Sequence, residues 1–496
     1  MSALPVATAF SVLAIDIGTS SVRAALFDPQ GHPLGAGAQR THRLETGQDG
    51  RAELDARALL DNIGQAIDEA LQTADPGIPI RAVGLSSFWH SLVGLDAQMQ
   101  PVTPVLTWAD RRAQAVAAAR RADPDAAALH ARTGCPAHSS YWSAKLPWLR
   151  TTDAEAWQAA CRWASACDLL MHTLFGGDLR TSTSMASGTG LFDLHDQRWS
   201  APALSRAGLA STALPMVDDR PREGLVEAYA RRWPQLASIP WFPAVGDGAC
   251  SNVGVGSTDP DSMVLMLGTS GSMRVMWNAG DDRALSDASL WCYRVDAHRL
   301  VGGMALSEGG ASAAWARETL AGGTGADLEV EIARMRPDAH GLTVLPFVLG
   351  ARSPDWVDGR TACIAGITAA TTSAQIYRAV LESVGLRFAF LKQRLERSWP
   401  AARRIVVTGG ALSRSAVWRQ IVADCIGQEI EVSDVDEGSL RGAALLTLER
   451  IGQGALASYA HGRRNAAAFD ADAHAVYRQA MQRQAVLDAL LREGTF

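Results

Sequence analysis

The stretch 244–272, AVGDGACSNVGVGSTDPDSMVLMLGTSGS, decides the fold. It holds Asp247 between two glycines, followed by an apolar run, Met263 to Leu267, that stops at Gly268-Thr269-Ser270. An apolar run that ends in small residues predicts a strand entering a tight turn, whose backbone N–H groups can face an anion. Phosphoryl transfer needs a turn that holds a phosphate and a carboxylate that takes the proton from the attacking hydroxyl. The stretch offers both groups.

A similar unit stands near the N-terminus. The β-prone run Val12 to Ile15 leads into Asp16-Ile17-Gly18-Thr19-Ser20, and Val22 to Phe27 follows as a second β-prone run. The two Gly-Thr-Ser turns lie about 250 residues apart, each after an apolar run that ends in glycine. A strand–turn–strand unit in each part of the chain is a weak internal repeat, and it predicts two related halves.

Length and composition narrow the class of protein. A chain of 496 residues is too long for one hydrophobic core, so at least two domains are expected. The net charge of -6, without a basic stripe, argues against nucleic-acid binding. The seven cysteines form no CxxC pair, which predicts reduced thiols in a cytoplasmic protein.

Neither a signal peptide nor a membrane span is expected. The apolar N-terminus, Met1 to Phe10, has no basic residue before Arg23. No apolar segment approaches the roughly 20 residues that cross a bilayer. Only two lysines occur, Lys145 and Lys392, and neither follows a glycine, so the chain has no GxxxxGK[ST] phosphate loop. Any ATP must therefore be held by another architecture.

Secondary-structure patterns favour an α/β fold. Asp55 is expected to cap a helix with leucines and isoleucines at helical spacing, and 80–86 returns as a strand. Residues 157–175 are predicted to form one helix, and the small polar stretch 181–192 an irregular loop. Further strands are predicted over 273–277, 300–304, 342–347, 404–407 and 429–432, and helices from 308, over 373–399, 415–425, 439–448 and 473–491. Three prolines before Val245 predict a domain boundary, dividing the chain into 1–243 and 244–496.

Several ordered stretches together resemble the FGGY carbohydrate kinases: 16–21, 246–249, 268–270 and 409–411. The most specific is ACIAGITAATTSAQIYRAVLE, residues 362–382, which is similar to the second signature of the family throughout. Lys145-Leu146-Pro147-Trp148-Leu149 resembles the end of the first signature, and Lys145 itself is expected to be structural or close to the substrate. The resemblance covers nearly the whole chain.

The resemblance implies two actin-like, ribonuclease-H-like α/β domains with a deep cleft between them. It also implies transfer of the γ-phosphoryl group of ATP to a sugar hydroxyl, with Mg²⁺. Within the family, WHSLVGLD at 89–96 is most similar to the gluconate kinases, so D-gluconate to 6-phosphogluconate is the expected reaction. Xylulose kinases and other pentulose or polyol kinases are the alternative. A small-molecule sugar or sugar acid is the expected partner, and a homodimer is left open.

Asp247 is the expected general base, because a carboxylate is ionised at neutral pH. Asp16 is the expected Mg²⁺ partner, together with Asp247, and Trp89 and His90 are expected to line the sugar pocket. The resemblance assigns ATP to small residues of both halves and one arginine: Gly18, Thr19, Ser20, Arg23, Gly268, Thr269, Ser270, Gly310, Gly409, Gly410 and Ala411.

A rival from another class is an actin-like ATP-binding protein that acts as a chaperone or a filament. Such a protein needs neither Asp247 nor the Trp89-His90 pair. The alternative without catalysis is that Asp247 is a loop residue that caps a helix beginning at Ala249. ATP hydrolysis indifferent to every sugar would favour the rival.

Overall fold

The computed structural model describes residues 10–280, 287–319, 325–400, 402–459 and 461–493. The expectation that the N-terminus is not a signal peptide concerns mainly residues 1–9, which lie outside the described residues. No helix in the described ranges is both long enough and apolar enough to cross a bilayer.

One sheet contains the first Gly-Thr-Ser turn. Its five described strands run in the order Val245–Gly246, Ile80–Ser87, Ser11–Ile17, Ser21–Phe27 and Pro33–Thr41. The first three are parallel, and the last three form an antiparallel meander. Every residue of the strand Ser11–Ile17 is buried, which explains its nearly unbroken apolar run.

A second sheet repeats this arrangement around the second Gly-Thr-Ser turn. Ser262–Leu267 pairs antiparallel with Gly271–Asn278 on one side and parallel with Arg404–Thr408 on the other. The order of its seven described strands is Trp291–Arg294, Arg299–Leu306, Gly271–Asn278, Ser262–Leu267, Arg404–Thr408, Ile430–Ser433 and Arg463–Ala467. The internal repeat is therefore structural, with one hairpin and one parallel neighbour in each half.

Helices cover both sheets. Asp55 caps the first of them, accepting from Ala58 N at 2.7 Å as predicted, and a capping box of Thr372 and Gln375 begins the longest. The described helices are Ala56–Gln72, Gln114–Arg121, Ala126–Thr133, Trp142–Thr152, Ala154–Ala159, Ala166–Phe175, Thr183–Ser187, Ala201–Ala207, Glu227–Arg232, Asp247–Gly254, Gly310–Thr319, Gly325–Ala333, Ser373–Ser398, Gly410–Arg414, Ala416–Ile426, Gly438–Arg450 and Ala471–Glu493.

The late helix Gly438–Arg450 packs on the first sheet and on the helix Asp247–Gly254. Two glycines allow the close approach: a Cβ at Gly442 would lie 1.8 Å from Cys250 O, and one at Gly254 would lie 1.9 Å from Gly438 O. The last third of the chain thus completes the layer around the first strands. The division at residue 243 stays a prediction.

Two local predictions were wrong. Residues 157–175 are not one helix: Ala154–Ala159 ends, a short strand Arg162–Ala164 follows, and a capping box of Ser165 and Asp168 begins the helix Ala166–Phe175. The stretch 181–192 contains the short buried helix Thr183–Ser187, because the Ser182 side chain accepts from Met185 N at 3.0 Å.

Candidate active site

Asp247 lies at the junction of strand and helix. It is the first residue of the helix Asp247–Gly254, directly after the strand Val245–Gly246. Its Oδ1 accepts from the Gly248 N–H at 2.7 Å, and Ser184 Oγ accepts from the Gly246 N–H at 3.1 Å. The helix therefore begins at the carboxylate itself and not at Ala249, and the backbone on both sides of Asp247 is fixed.

A second carboxylate, Asp16, acts on Asp247 electrostatically. Burial, and after it the charge of Asp16, raises the pKa of Asp247 to about 6. Asp16 is the next-to-last residue of the buried strand Ser11–Ile17; burial raises its pKa as well, and its Oδ1 has no hydrogen-bond partner among the described residues. Two like charges, of which Asp16 has a buried and unpartnered oxygen, fit a shared divalent cation, since oxygen ligands are those that Mg²⁺ prefers.

The two Gly-Thr-Ser turns have matching closures. Gly18 N donates to Ser21 O at 2.9 Å, and Gly268 N donates to Ser270 O at 3.0 Å. The first turn is held from outside by Trp108, whose Nε1 donates to Thr19 Oγ1 at 3.2 Å. The second turn is held by the start of the helix Gly310–Thr319, because Gly310 N donates to Gly268 O at 2.8 Å. Both turns are fixed before any ligand binds.

A cavity of about 250 Å³, here called the inner cavity, lies between the turns. Asp247, Thr19 and Thr269 line it, and so do Trp89 and His90. Aromatic rings form much of its wall, among them Tyr141, Trp291, Tyr293 and Trp356. Apolar walls with a few polar groups are typical of small-molecule sites.

The Trp89 side chain is tightly packed against its neighbours. Its Nε1 donates to Ser184 O at 3.0 Å, and its ring lies so close to two glycines that a Cβ at Gly246 would come within 1.9 Å of it and a Cβ at Gly188 within 2.5 Å. Its ring also contacts Tyr293, with centroids 4.8 Å apart. Trp89 is therefore a rigid wall beside Asp247.

His90 is neutral: its Nδ1 donates a hydrogen bond, and its Nε2 can accept one. Its Nδ1 lies 2.6 Å from Gly188 O, a contact that requires the proton on Nδ1. Burial lowers the pKa of His90 to about 3, so Nε2 keeps its lone pair at neutral pH. Its backbone has φ of 70°, and Lys145 Nζ donates to its carbonyl at 2.9 Å and to Thr107 O at 2.7 Å. Lys145 thus supports the cavity from behind.

Two arginines of the inner cavity were missed by sequence reasoning. Arg274 and Arg352 line it, one on the strand Gly271–Asn278 and one in the turn after Gly350. A signal existed for Arg274, because a charged residue within a buried apolar strand requires a polar partner. Nothing in the local sequence marks Arg352.

A larger cavity of about 1120 Å³, the outer cavity, adjoins the second turn. Gly268, Thr269, Gly310, Gly410 and Ala411 line it. Gly409 supports it: its φ is 96°, and a Cβ there would lie 2.5 Å from Leu267 O. Because Thr269 lines both cavities, the second turn separates them and faces each.

Besides Asp16 and Gly409, three predicted residues line neither cavity. Arg23 lies 3.7 Å from Asp16 and 3.2 Å from Glu437, beside another groove. Gly18 and Ser20 flank Thr19 in the first turn without lining the cavities themselves. Their contact with a nucleotide stays a prediction.

One other cluster in the described residues has metal-like spacing, Asp338, His340 and Glu382. Glu382 already accepts from Arg378 Nε at 2.7 Å, from Tyr477 Oη at 2.8 Å and from His340 Nε2 at 2.9 Å. The guanidinium occupies the place of a cation, so the cluster anchors the helix Ser373–Ser398.

Comparisons with known proteins agree with this geometry. A model of the N-terminal domain of the FGGY family of carbohydrate kinases matches residues 11–254, and a model of the C-terminal domain matches 264–448. The gluconokinase of Bacillus subtilis (strain 168) is 28% identical over 474 residues, covering 89% of this chain and 88% of its own length. Two solved structures from Lactobacillus acidophilus, a gluconate kinase and a ligand-bound xylulose kinase, each match with a TM-score of 0.89 at 25% identity, over 98% of this chain and 99% of theirs.

Proposed function

The chain belongs to the FGGY family of carbohydrate kinases, and from that premise we propose that it phosphorylates D-gluconate to 6-phosphogluconate. The family makes it a sugar kinase with ATP as phosphoryl donor. One observation carries the proposal for the site: Thr269 lines both cavities, so the turn that faces the nucleotide side also faces Asp247. The outer cavity is proposed for ATP, against Gly268, Gly310, Gly409, Gly410 and Ala411.

In the proposed mechanism Asp247 takes the proton from the acceptor hydroxyl as that oxygen attacks the γ-phosphorus. A pKa of about 6 leaves the carboxylate mostly ionised at pH 7 and close to the working pH, which suits a general base. Trp89 and the other rings exclude water from the inner cavity, and His90 Nε2 accepts a hydrogen bond from another sugar hydroxyl.

The residues that would hold Mg²⁺ are Asp16 and Asp247, at least partly through water. When bound, the cation neutralises charge on the phosphates. The backbone N–H groups of the two Gly-Thr-Ser turns then orient the phosphates from opposite sides, and Arg23 holds Asp16 in place from outside the cavities.

Gluconate is favoured over other acceptors by the gluconokinase relative and by the segment 89–96. The second candidate, xylulose, has the support of the xylulose kinase structure, which matches equally well. A cytoplasmic location and a homodimer stay predictions.

The test is coupled ADP release from the purified protein with ATP and Mg²⁺, screened over gluconate, xylulose, ribulose, glycerol and erythritol. Turnover with gluconate well above the rest supports the proposal, and a preference for a ketose or polyol replaces it. ATP hydrolysis that no acceptor stimulates would instead favour the actin-like rival.

A further inference from the structure

The inner cavity carries an excess of positive charge. Its charged lining residues are one carboxylate, Asp247, and two guanidinium groups, Arg274 and Arg352. His90 adds no charge at neutral pH. The single carboxylate of Asp247 can balance only one of the two guanidinium groups. One positive charge is therefore left beside the bound acceptor, and a neutral polyol would not balance it. A buried charge without a partner is costly, so such a site favours an anionic ligand.

Arg274 is already committed to neutral oxygens of the protein. Its Nε donates to Asn252 Oδ1 at 3.0 Å, Nη1 to Ser272 Oγ at 2.9 Å and Nη2 to Ser251 Oγ at 3.2 Å. Every nitrogen of this guanidinium has a partner. Arg274 therefore contributes positive electrostatic potential and packing next to Gly248, but it has no free nitrogen with which to bind a ligand.

Arg352 has donors to spare. Its Nη2 donates to Leu306 O at 2.6 Å, while its Nε is buried with no hydrogen-bond partner in the described part of the chain. No carboxylate of the described residues lies within ion-pair distance of it. Glu308 acts on it electrostatically but is itself paired with Arg387 at 3.0 Å.

The orientation of Arg352 is fixed by stacking. Its guanidinium lies over the Trp108 ring, 4.6 Å from the centroid, and Trp108 is in turn hydrogen-bonded to Thr19. A guanidinium that stacks by its face offers its edge to a planar anion, and the edge carries paired N–H groups that match a carboxylate.

We propose that Arg352 binds the carboxylate of the acceptor and so selects sugar acids over polyols and ketoses. The inference rests on the proposed function and assigns to Arg352 the selection of sugar acids as substrates. The acceptor would lie between Arg352, at its acid end, and Asp247, at the hydroxyl that is phosphorylated.

The experiment compares D-gluconate with D-glucitol, which differs in having a hydroxymethyl group in place of the carboxylate. Calorimetric Kd values and coupled-assay kinetics are measured for the unaltered protein, Arg352→Gln and Arg352→Lys. Arg360→Gln is the control, because Arg360 follows on the same loop but pairs with Asp355 and Asp488 and does not line the inner cavity.

We expect the unaltered protein and the control to bind gluconate about 10- to 100-fold more tightly than glucitol. Arg352→Gln should bring the two ligands within about threefold, with the Kd for ATP unchanged, and Arg352→Lys should keep part of the preference because it keeps the charge. The unchanged Kd for ATP also shows that the variants are folded.

Two results would overturn the assignment. If Arg352→Gln keeps the preference for gluconate, the carboxylate binds elsewhere. If kcat instead falls equally for every acceptor while their Kd values stay the same, Arg352 contacts the transferring phosphoryl group. An unaltered protein that does not phosphorylate gluconate at all refutes the proposed function itself, and that measurement is made before any variant is compared.

Discussion

The stability that this protein loses when Lys145 is replaced by methionine should depend on pH in a defined direction. Lys145 is fully buried, and its ammonium group donates to the carbonyl oxygens of His90 and Thr107. Methionine fills a similar volume but donates nothing. The two carbonyls would lose their partner, at a cost of about 1–3 kcal/mol in the free energy of unfolding.

The pH-dependent part follows from the pKa of the amine. Burial, opposed by the charge of Asp110, lowers the pKa of Lys145 from 10.5 to about 7. A group with a lowered pKa in the folded state contributes stability that is present above its unfolded pKa and is lost as pH falls through its folded pKa. Each pH unit between the two values is worth about 1.4 kcal/mol. From pH 7.5 to 10.5 the unaltered protein should therefore gain up to ~4 kcal/mol over Lys145→Met.

Urea unfolding at pH 7.5, 8.5 and 9.5 measures this difference, and all other titrating groups cancel because both proteins contain them. Lys392→Met is the matched control: Lys392 is the only other lysine and forms an ion pair with Glu396 at 2.7 Å near the surface. A difference that stays constant with pH would refute the reasoning and show that the two carbonyls keep the ammonium charged. In a Lys392→Arg protein, ¹³C-lysine NMR reads the pKa of Lys145 directly.

Three further outcomes are expected. Asp247→Asn should lower kcat by about 10²- to 10⁴-fold in the coupled assay, with Asp61→Asn, an exposed position on the helix Ala56–Gln72, as the control. Retention of more than a tenth of the turnover would exclude Asp247 as the base. Gly310→Ala places a Cβ 2.5 Å from Gly268 O, so the KM for ATP should rise about tenfold or more through overpacking. Gly280→Ala is the control, because a Cβ there has open space around it and should leave the KM unchanged. Equal KM values for the two variants would contradict the assignment of ATP to the outer cavity. Tyr141→Phe and Tyr293→Phe each break the 2.6 Å hydroxyl pair and should each cost about 1 kcal/mol, and the double variant less than their sum; additive losses would show that the hydroxyls are not coupled.

Much of the fold was predictable because the signals are local. Apolar runs that end in Gly-Thr-Ser mark the central strands of both sheets, and Asp55 caps its helix as its position suggests. The broken helix at 157–175 could have been found from Ser165 and Asp168, which form a capping box in the middle of the predicted segment. Apolar periodicity alone runs through such a break, because both pieces bury the same kinds of side chain.

The candidate site was predictable only where a residue lies beside a turn. Asp247, Trp89 and Thr269 follow or flank strands, and the structure brings them to one cavity. Arg352 was not found, since its importance depends on which groups surround it after folding. Its guanidinium stacks on Trp108 and donates from one nitrogen to Leu306 O, and no carboxylate among the described residues lies within ion-pair distance. Spacing along the chain carries no information about such a missing partner.

The helix Gly438–Arg450 has a consequence for synthesis in the cell. The strands Ser11–Ile17 and Ile80–Ser87 leave the ribosome first, yet the helix that packs on them is translated almost last. At roughly 5–20 residues per second, the nascent chain spends about 20–90 s with that apolar face uncovered. Protein released early by a premature stop would keep the face exposed, and we expect chaperones to hold the growing chain during this interval.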